Sequence, residues 1–186
     1  MSNSNSIILA VTGASGSIYA KRLLHFLEKK YKILVVFSKN AIEIYQSEVG
    51  SVLQETENIK IYDNNDFSAP FASGSCQIEN MIICPCSMGT LSRIACGISD
   101  TLITRAADVM LKERRKLILV PRETPYNLIH LRNMETLTLS GAIICPASPS
   151  FYSKPKTIQE AVDTVVFRIL DLLRIENNST RWGESL

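Results

Sequence analysis

Six short apolar runs, each followed by a segment with helical spacing, limit the fold of this chain more than any other feature. Residues 7–12 (IILAVT) and 32–37 (KILVVF) are almost entirely apolar, unlike the alternating strands of a sheet with one wet face. Further strands are predicted at residues 59–62, 81–84, 116–120 and 142–145. Strands that are buried on both faces and separated by helices indicate a parallel sheet between two helical layers.

The intervening segments carry the helical signals. In residues 17–30, the apolar side chains Ile18, Leu23, Leu24 and Leu27 suit one face of a helix. Other helices are predicted at residues 38–53, from residue 87, and at residues 100–114, 126–139 and 157–173. The chain has 186 residues, which suits one domain. We therefore predict a single α/β domain over residues 1–186, a doubly wound, three-layer parallel sheet of the Rossmann or flavodoxin-like kind.

Composition and charge exclude several classes of function. The net charge is +2, and the basic residues are scattered among acidic ones, which argues against a nucleic-acid partner. No apolar stretch approaches the roughly 18 residues that a membrane span requires. No positive charge precedes the short apolar run at residues 7–11, so a signal peptide is not expected. We predict a cytoplasmic protein with no membrane partner.

The five cysteines, at positions 76, 84, 86, 96 and 145, show no metal-ligand spacing. Cys84 and Cys86 flank a proline, and only two histidines exist to help them. Apolar neighbours around Cys84 and Cys145 favour buried thiols that pack as small hydrophobic side chains. No metal site is expected.

Small and hydroxylated residues follow several of the predicted strands. In a doubly wound sheet the ligand crevice lies beyond the carboxyl ends of the strands, so these loops are where a ligand would bind. GASGS at 13–17 follows the first strand, Ser38 the second, and SMGT at 87–90 the fourth. Several of these loops lead into helix N-termini, which offer free N–H groups to a phosphate.

Each of these loops is a weak signal by itself. GASGS lacks the third glycine of the dinucleotide fingerprint and is equally compatible with a tight turn capped by serine. The phosphate-loop motif of nucleotide hydrolases is absent, and Ser38-Lys39 stands where an NAD-binding protein would carry an acid. Taken together, the loops favour a phosphorylated, planar cofactor.

The basic residues differ in their place relative to the strands. Lys112 ends a helix before the fifth strand, so in one chain it lies at the edge opposite the crevice, where a solvated helix C-terminus is the simpler interpretation. Arg122 and Glu123 follow the fifth strand at the crevice edge. They could form a purely structural ion pair, or Arg122 could bind a phosphate through two hydrogen bonds. The orientation of Arg168, in the last helix, stays open.

Longer motifs in the same order resemble UbiX-type flavin prenyltransferases from about residue 7 to 184. They are TGASGS at 12–17, SKxA at 38–41, CPCSMGTL at 84–91, RAADVxLKERR at 105–115, LVPRETP at 119–125, IHLxNM at 129–134, PAxPxFY at 146–152 and RWGE at 181–184. Several blocks in one order are far more specific than any single short motif.

The resemblance implies a defined reaction. Reduced flavin mononucleotide (FMN) would react at N5 with dimethylallyl monophosphate, phosphate would leave, and a second bond from the prenyl group to C6 would close a further ring. The prenylated FMN would serve as cofactor for a UbiD-type decarboxylase, in ubiquinone synthesis or in aromatic-acid decarboxylation. The resemblance implies no metal.

The resemblance also assigns residues to this reaction. The flavin-binding positions are Gly13, Ala14, Ser15, Ser38, Ser87, Met88, Gly89, Thr90 and Arg122. The prenyl-phosphate positions are Tyr152 and Arg168, with Lys112, Arg105, Arg122 and Glu123 close to the phosphate. Ser15 would lie near the reactive edge of the flavin, and Glu48 matches an active-site acid. Trp182 would offer an aromatic face or simply hold the tail.

Lys112 can reach such a phosphate only from a neighbouring subunit, because it lies at the opposite edge of its own sheet. The family forms dodecamers with sites at subunit interfaces, so a homo-oligomer, and specifically a dodecamer, is expected.

Three other functions stay open. A flavin-dependent decarboxylase of cysteine residues shares the fold, although the loop at residues 63–77 has no histidine. Direct decarboxylation of aromatic acids is a second alternative. A non-enzymatic flavin carrier is the third, and the second phosphate site argues against it.

Overall fold

The computed structural model describes residues 5–181 and residue 183. Within those residues the strands form one six-stranded, all-parallel sheet in the order β3-β2-β1-β4-β5-β6. The strands are β1 (Ser6–Val11), β2 (Lys32–Phe37), β3 (Ile59–Tyr62), β4 (Asn80–Cys86), β5 (Lys116–Pro121) and β6 (Ile143–Ile144). The predicted doubly wound sheet is confirmed.

Two helical layers cover the sheet. The first contains α1 (Ser17–Leu27), α2 (Lys39–Val49) and α6 (Ile158–Leu172), and the second contains α3 (Met88–Ala95), α4 (Leu102–Lys112) and α5 (Leu128–Leu139). In β1, Ile7 and Leu9 face the first layer while Ile8 and Ala10 face the second, as alternation along a strand requires. No helix among the described residues is both long and apolar enough to cross a membrane.

Several helix ends differ from the prediction for local reasons. Helix α2 ends at Val49 rather than near residue 53, because Gly50 turns into the left-handed region with φ 77° and donates to Gln46 O at 2.9 Å. Helix α5 begins at Leu128 rather than at residue 126, because the Asn127 side chain caps it through a 2.8 Å bond from the His130 N–H. Each helix end is determined by one residue, and the spacing of apolar residues does not predict such an effect.

Candidate functional site

The carboxyl ends of β1 and β4 define the crevice of the sheet, because the strand order changes direction between these two neighbours. Thr12, directly after β1 and 1% exposed, ties the two ends together. Its hydroxyl donates to Pro85 O at 2.9 Å and accepts from Ser87 N at 2.7 Å. The loop after β1 and the start of α3 are therefore fixed relative to one another.

A polar cleft of about 380 Å³ opens beside this crevice. It is lined by the loop after β1 and by the N-terminal ends of α2, α3 and α4, and its lining includes Gly13, Ser38, Lys39, Ser87, Gly89, Thr90, Arg93 and Thr101. Ser38 stands at the N-cap position of α2, but its side chain forms no capping bond. Arg93 pairs with Asp100, which also lines the cleft, at 3.6 Å, so the helix N-termini and the Lys39 cation are the groups that make the cleft suitable for a phosphate.

Gly13 brings the loop after β1 close to α2. A Cβ at position 13 would lie 3.3 Å from the Cβ of Asn40, so a larger residue would push the two segments apart. Ser87 caps α3, since its hydroxyl accepts from Thr90 N at 3.3 Å. Gly13, Ser87, Gly89 and Thr90 of these two loops therefore face one cleft.

The turn at residues 13–17 holds the first helix through a distant carboxylate. Helix α1 has Gly16 at its N-cap position and no side-chain cap of its own, which contradicts the serine-cap interpretation. Instead Glu48, on α2, accepts from Gly16 N at 2.9 Å and from Ser17 N at 2.7 Å. Burial would raise the pKa of the Glu48 carboxyl, but hydrogen bonds from Ser15, Gly16 and Ser17 hold this pKa below its ordinary value.

Arg122 lies over the same turn. Its Nε donates to Ser15 O at 3.0 Å, which joins the end of β5 to the loop after β1. Glu123 is exposed, and its carboxylate accepts from Thr124 N at 2.9 Å. No ion pair joins Arg122 to Glu123 among the described residues, so the two side chains do not form the structural pair that was one interpretation.

A second cleft, about 430 Å³ in volume, runs along α6. Its floor includes Thr164, Arg168 and Asp171, one wall is the loop at residues 150–155, and the other is the tail at residues 178–181. Between the walls, the Tyr152 hydroxyl donates to Thr180 O at 3.4 Å. The orientation of Arg168, which the sequence left open, is toward this cleft, where Tyr152 also lies.

Lys112 and Arg105 line neither cleft. Lys112 ends α4 and pairs with Glu113, whereas it is the beginning of α4 that reaches the first cleft, about 15 Å away along the helix. The Arg105 guanidinium bonds to Asp108 at 3.0 Å and to Ala72 O at 2.9 Å. Within one chain, Lys112 therefore lies far from the first cleft, and the Arg105 guanidinium is engaged by Asp108 and Ala72.

Other predicted residues contribute differently. Met88 is 7% exposed and packs in the core, so its side chain is not available to a ligand in the first cleft. Ala14 is 8% exposed and also packs inside. Ser15 and Glu48 line a shallow depression on the outer side of α2. Trp182 lies outside the described residues.

The first cleft also contains residues that sequence reasoning missed. Thr101 and Thr104 form a capping box at the start of α4, and a Thr-x-x-Thr pattern before an apolar helix was available as a signal. Asn64 accepts from Leu102 N at 2.7 Å through its backbone oxygen and from Ile103 N at 3.1 Å through its side chain. These contacts join residues nearly forty positions apart, so no local sequence pattern predicts them.

Known proteins match this chain over nearly its whole length. A family model described as Flavoprotein matches residues 1–170. The flavin prenyltransferase UbiX of Methanocaldococcus jannaschii is 47% identical over 180 residues, which cover 95% of this chain and 98% of that protein.

Solved structures are also similar to this chain over nearly its whole length. The crystal structure of AnUbiX (PadA1) in complex with FMN and dimethylallyl pyrophosphate has a TM-score of 0.88 and 39% identity, covering 97% of this chain and 100% of that one. A dodecameric FMN-dependent UbiX-like decarboxylase from Escherichia coli has a TM-score of 0.90 and 37% identity, with the same coverage. Identity at this level over almost the full length shows that the chain belongs to the flavoprotein family and, within it, to the UbiX-type flavin prenyltransferases.

Proposed function

We propose that this protein is a flavin prenyltransferase that transfers a dimethylallyl group from dimethylallyl monophosphate to reduced FMN. The N5–C bond to the prenyl unit would form as the allylic C–O bond breaks, with phosphate as the leaving group and loss of the N5 proton. The second bond would form from C6 to the far carbon of the prenyl double bond as that double bond takes up a proton and C6 loses its own. The membership of the UbiX family supports this activity, and a relative binds FMN together with the corresponding pyrophosphate.

The observation that carries the proposal is the presence of two separate polar clefts suited to anions. The first gathers the N-termini of α2, α3 and α4, and the second contains Arg168 and Tyr152. A protein that only carried a flavin would need the first cleft alone. Two phosphorylated substrates account for both.

The first cleft fits an FMN phosphate and its ribityl chain. Ser38, Ser87 and Thr90 offer hydroxyls, and the start of α2, which has no side-chain cap, offers N–H groups. Gly13 keeps the loop after β1 against α2, so that the phosphate end of the cleft stays narrow. FMN supplies the nucleophilic N5 and C6 atoms, and these residues hold and orient it.

The second cleft would hold the donor. Heterolysis of an allylic C–O bond needs cations beside the departing phosphate and a site from which water is excluded. Arg168 and Tyr152 are placed to bind that phosphate, and Arg122 approaches from the flavin side through its bond to Ser15 O at 3.0 Å. Glu123 would remain beside the phosphate as the carboxyl that accepts or returns a proton.

Ser15 and Glu48 would act at the flavin edge. The Glu48 carboxylate is held by the N–H groups of Gly16 and Ser17 and by the Ser15 hydroxyl, which fixes the side chain of Ser15 toward α2. We propose that this pair positions a proton near N5. Among the described residues, the depression that they line contains one further carboxylate, that of Glu43.

A homo-oligomer would complete the site. Lys112 and Arg105 line neither cleft of their own chain, so they would serve the donor phosphate of a neighbouring subunit. Helix α5 exposes Leu128, Ile129 and Leu139 by 60%, 66% and 82%, more apolar surface than a monomer usually leaves in water. The relative from Escherichia coli is a dodecamer, and we propose the same assembly here.

Product use and location are further parts of the proposal. Prenylated FMN would pass to a UbiD-type decarboxylase in ubiquinone synthesis or aromatic-acid decarboxylation. All five cysteines are free thiols, which agrees with a reducing cytoplasm.

One experiment tests the activity. The protein is incubated without oxygen with reduced FMN and dimethylallyl monophosphate, and the flavin is analysed by mass spectrometry. We expect a mass gain of one five-carbon unit and release of phosphate. Unmodified FMN, with carbon dioxide released from a cysteinyl peptide or from a phenolic acid, would instead assign the protein to the flavin-dependent decarboxylases.

A further inference from the structure

The tail of the chain is attached to α6 through one carboxylate. Asp171 accepts two hydrogen bonds from the Arg181 guanidinium, at 2.6 and 2.8 Å, and a third from the Asn177 side chain at 2.8 Å. Asp171 is the more buried partner, with 18% of its side chain exposed against 42% for Arg181. Burial would raise the pKa of Asp171, but the bonds from Arg181 and Asn177 keep this pKa below its ordinary value.

This pair lies inside the second cleft, one helical turn from Arg168. Arg168, Asp171 and Arg181 all line the cleft, and Arg168 is close enough to Asp171 to lower its pKa further. Asp171 and Arg168 are three positions apart on α6, a spacing at which acidic and basic side chains pair readily. Without another cation, Asp171 would therefore attract the guanidinium of Arg168.

The other acidic side chains of the cleft also accept hydrogen bonds. Asp163 is bonded to Arg22 at 2.7 Å through both carboxylate oxygens, and Glu160 accepts from Lys156 N at 2.6 Å. Within the described residues, Arg168 forms no hydrogen bond or ion pair with these carboxylates. Its charge is thus the one that the cleft leaves available to an incoming anion.

We propose that Arg181 is a positioning residue that neutralises Asp171 and thereby keeps Arg168 available for the phosphate of the prenyl donor. The inference rests on the proposed function for the identity of that anion. Arg181 also holds residues 178–181 as one wall of the cleft, which the contact of Tyr152 with Thr180 O supports from the other side. Loss of Arg181 would leave Asp171 free to pair with Arg168 and to repel a phosphate.

Charge rescue separates this role from a merely structural one. The variants are Arg181→Ala, Asp171→Asn and the double variant, with Arg181→Lys as the conservative replacement and Arg174→Ala as a control that removes an exposed arginine outside the cleft. Binding of dimethylallyl monophosphate and of inorganic phosphate to the FMN-loaded protein is measured by calorimetry, alongside KM and kcat. Thermal unfolding shows that each variant is folded.

We expect Arg181→Ala to weaken donor binding and raise KM about tenfold, with kcat changed less than KM. The double variant should regain most of that loss because the uncompensated carboxylate is gone, and Arg181→Lys and Arg174→Ala should bind the donor nearly as the unaltered protein does. A double variant as weak as Arg181→Ala, or an Arg181→Ala variant with unchanged binding, would overturn the inference.

Failure of the proposed function would look different. Unaltered protein that leaves FMN unmodified overturns the transferase activity. If that protein still binds inorganic phosphate, and does so about tenfold more weakly without Arg181, the role of Arg181 is supported for another phosphorylated ligand.

Discussion

The Glu48 carboxylate accepts a hydrogen bond from the backbone N–H of Ser17 at 2.7 Å, across two different helices. A second bond, from Gly16 N at 2.9 Å, makes this carboxylate the cap of α1. A helix N-terminus that already holds an anion repels another one. The start of α1 is therefore unfavourable for a further anion, whereas the starts of α2, α3 and α4 line the first cleft.

Replacing Glu48 by glutamine should lower the stability of the folded protein. The amide keeps an acceptor but loses the charge at the helix N-terminus, and we expect the free energy of unfolding at neutral pH to fall by about 0.5–1 kcal/mol. Urea unfolding measures the change. Glu43→Gln on the same helix is the matched control, because the Glu43 carboxylate forms no hydrogen bond or ion pair among the described residues and its replacement should change stability by less than about 0.5 kcal/mol.

The contribution of Glu48 should also depend on pH. Its pKa is lower in the folded protein than the ordinary 4.5, so the folded state binds fewer protons than the unfolded state below that pH. The stabilisation is therefore present above pH 4.5 and is lost as the pH falls through the lower, folded pKa. Unfolding curves of the unaltered protein and of Glu48→Gln should converge in acid, and a difference that persists there would contradict the assignment.

Much of the fold was predictable because strands buried on both faces of a sheet leave almost no polar residue in their sequence. The carboxyl-end rule then placed Gly13, Ser38 and Ser87 in one region from their strand positions alone. What the pattern could not give were single-residue effects such as the turn at Gly50. Apolar spacing carries no information on backbone handedness, so α2 was predicted too long.

The site was less predictable than the fold because its key contacts are long-range. Glu48 reaches Ser17 across 31 positions, and Asn64 reaches Ile103 across 39. The ion pair of Asp171 with Arg181 could not be predicted for another reason. The tail has no periodic pattern, and an ion pair produces no recognisable pattern in the local sequence. Lys112 was predicted at the opposite edge correctly, since the position of a residue within a helix-to-strand connection fixes the edge.

Gly16 should not tolerate a side chain. Its φ of 116° is a conformation that residues with a Cβ rarely adopt, and a Cβ there would lie 3.1 Å from the Tyr19 ring. We expect Gly16→Ala to lower the free energy of unfolding by about 1–3 kcal/mol. Gly97→Ala is the control, because its φ is also positive, at 70°, but no described atom lies within 4 Å of the added Cβ. Equal losses in the two variants would show that the Tyr19 contact adds nothing.

The exposed face of α5 should be required for assembly. Ile129 is 66% exposed, and a charge placed in a buried apolar interface is strongly unfavourable. We expect Ile129→Glu to dissociate the oligomer into smaller species without unfolding them, as measured by size-exclusion chromatography with light scattering. Ile158→Glu is the comparison, since Ile158 is 78% exposed at the first turn of α6, where an acid suits the helix dipole. An intact oligomer after Ile129→Glu would remove α5 from the interface.

Two inactive variants should restore activity when their subunits are mixed. Lys112 is separated from the cleft that contains Arg168, so a shared site would take Lys112 from one subunit and Arg168 from its neighbour. We expect Lys112→Ala and Arg168→Ala each to abolish most prenylation of FMN. After dissociation and random reassembly of an equal mixture, about a quarter of the sites would carry both native side chains, because each subunit contributes one of them with a chance of one half. Mass spectrometry of the flavin measures the recovered activity, and the separately reassembled variants give the baseline. A mixture no more active than that baseline would place both residues in the site of a single subunit or remove Lys112 from the reaction.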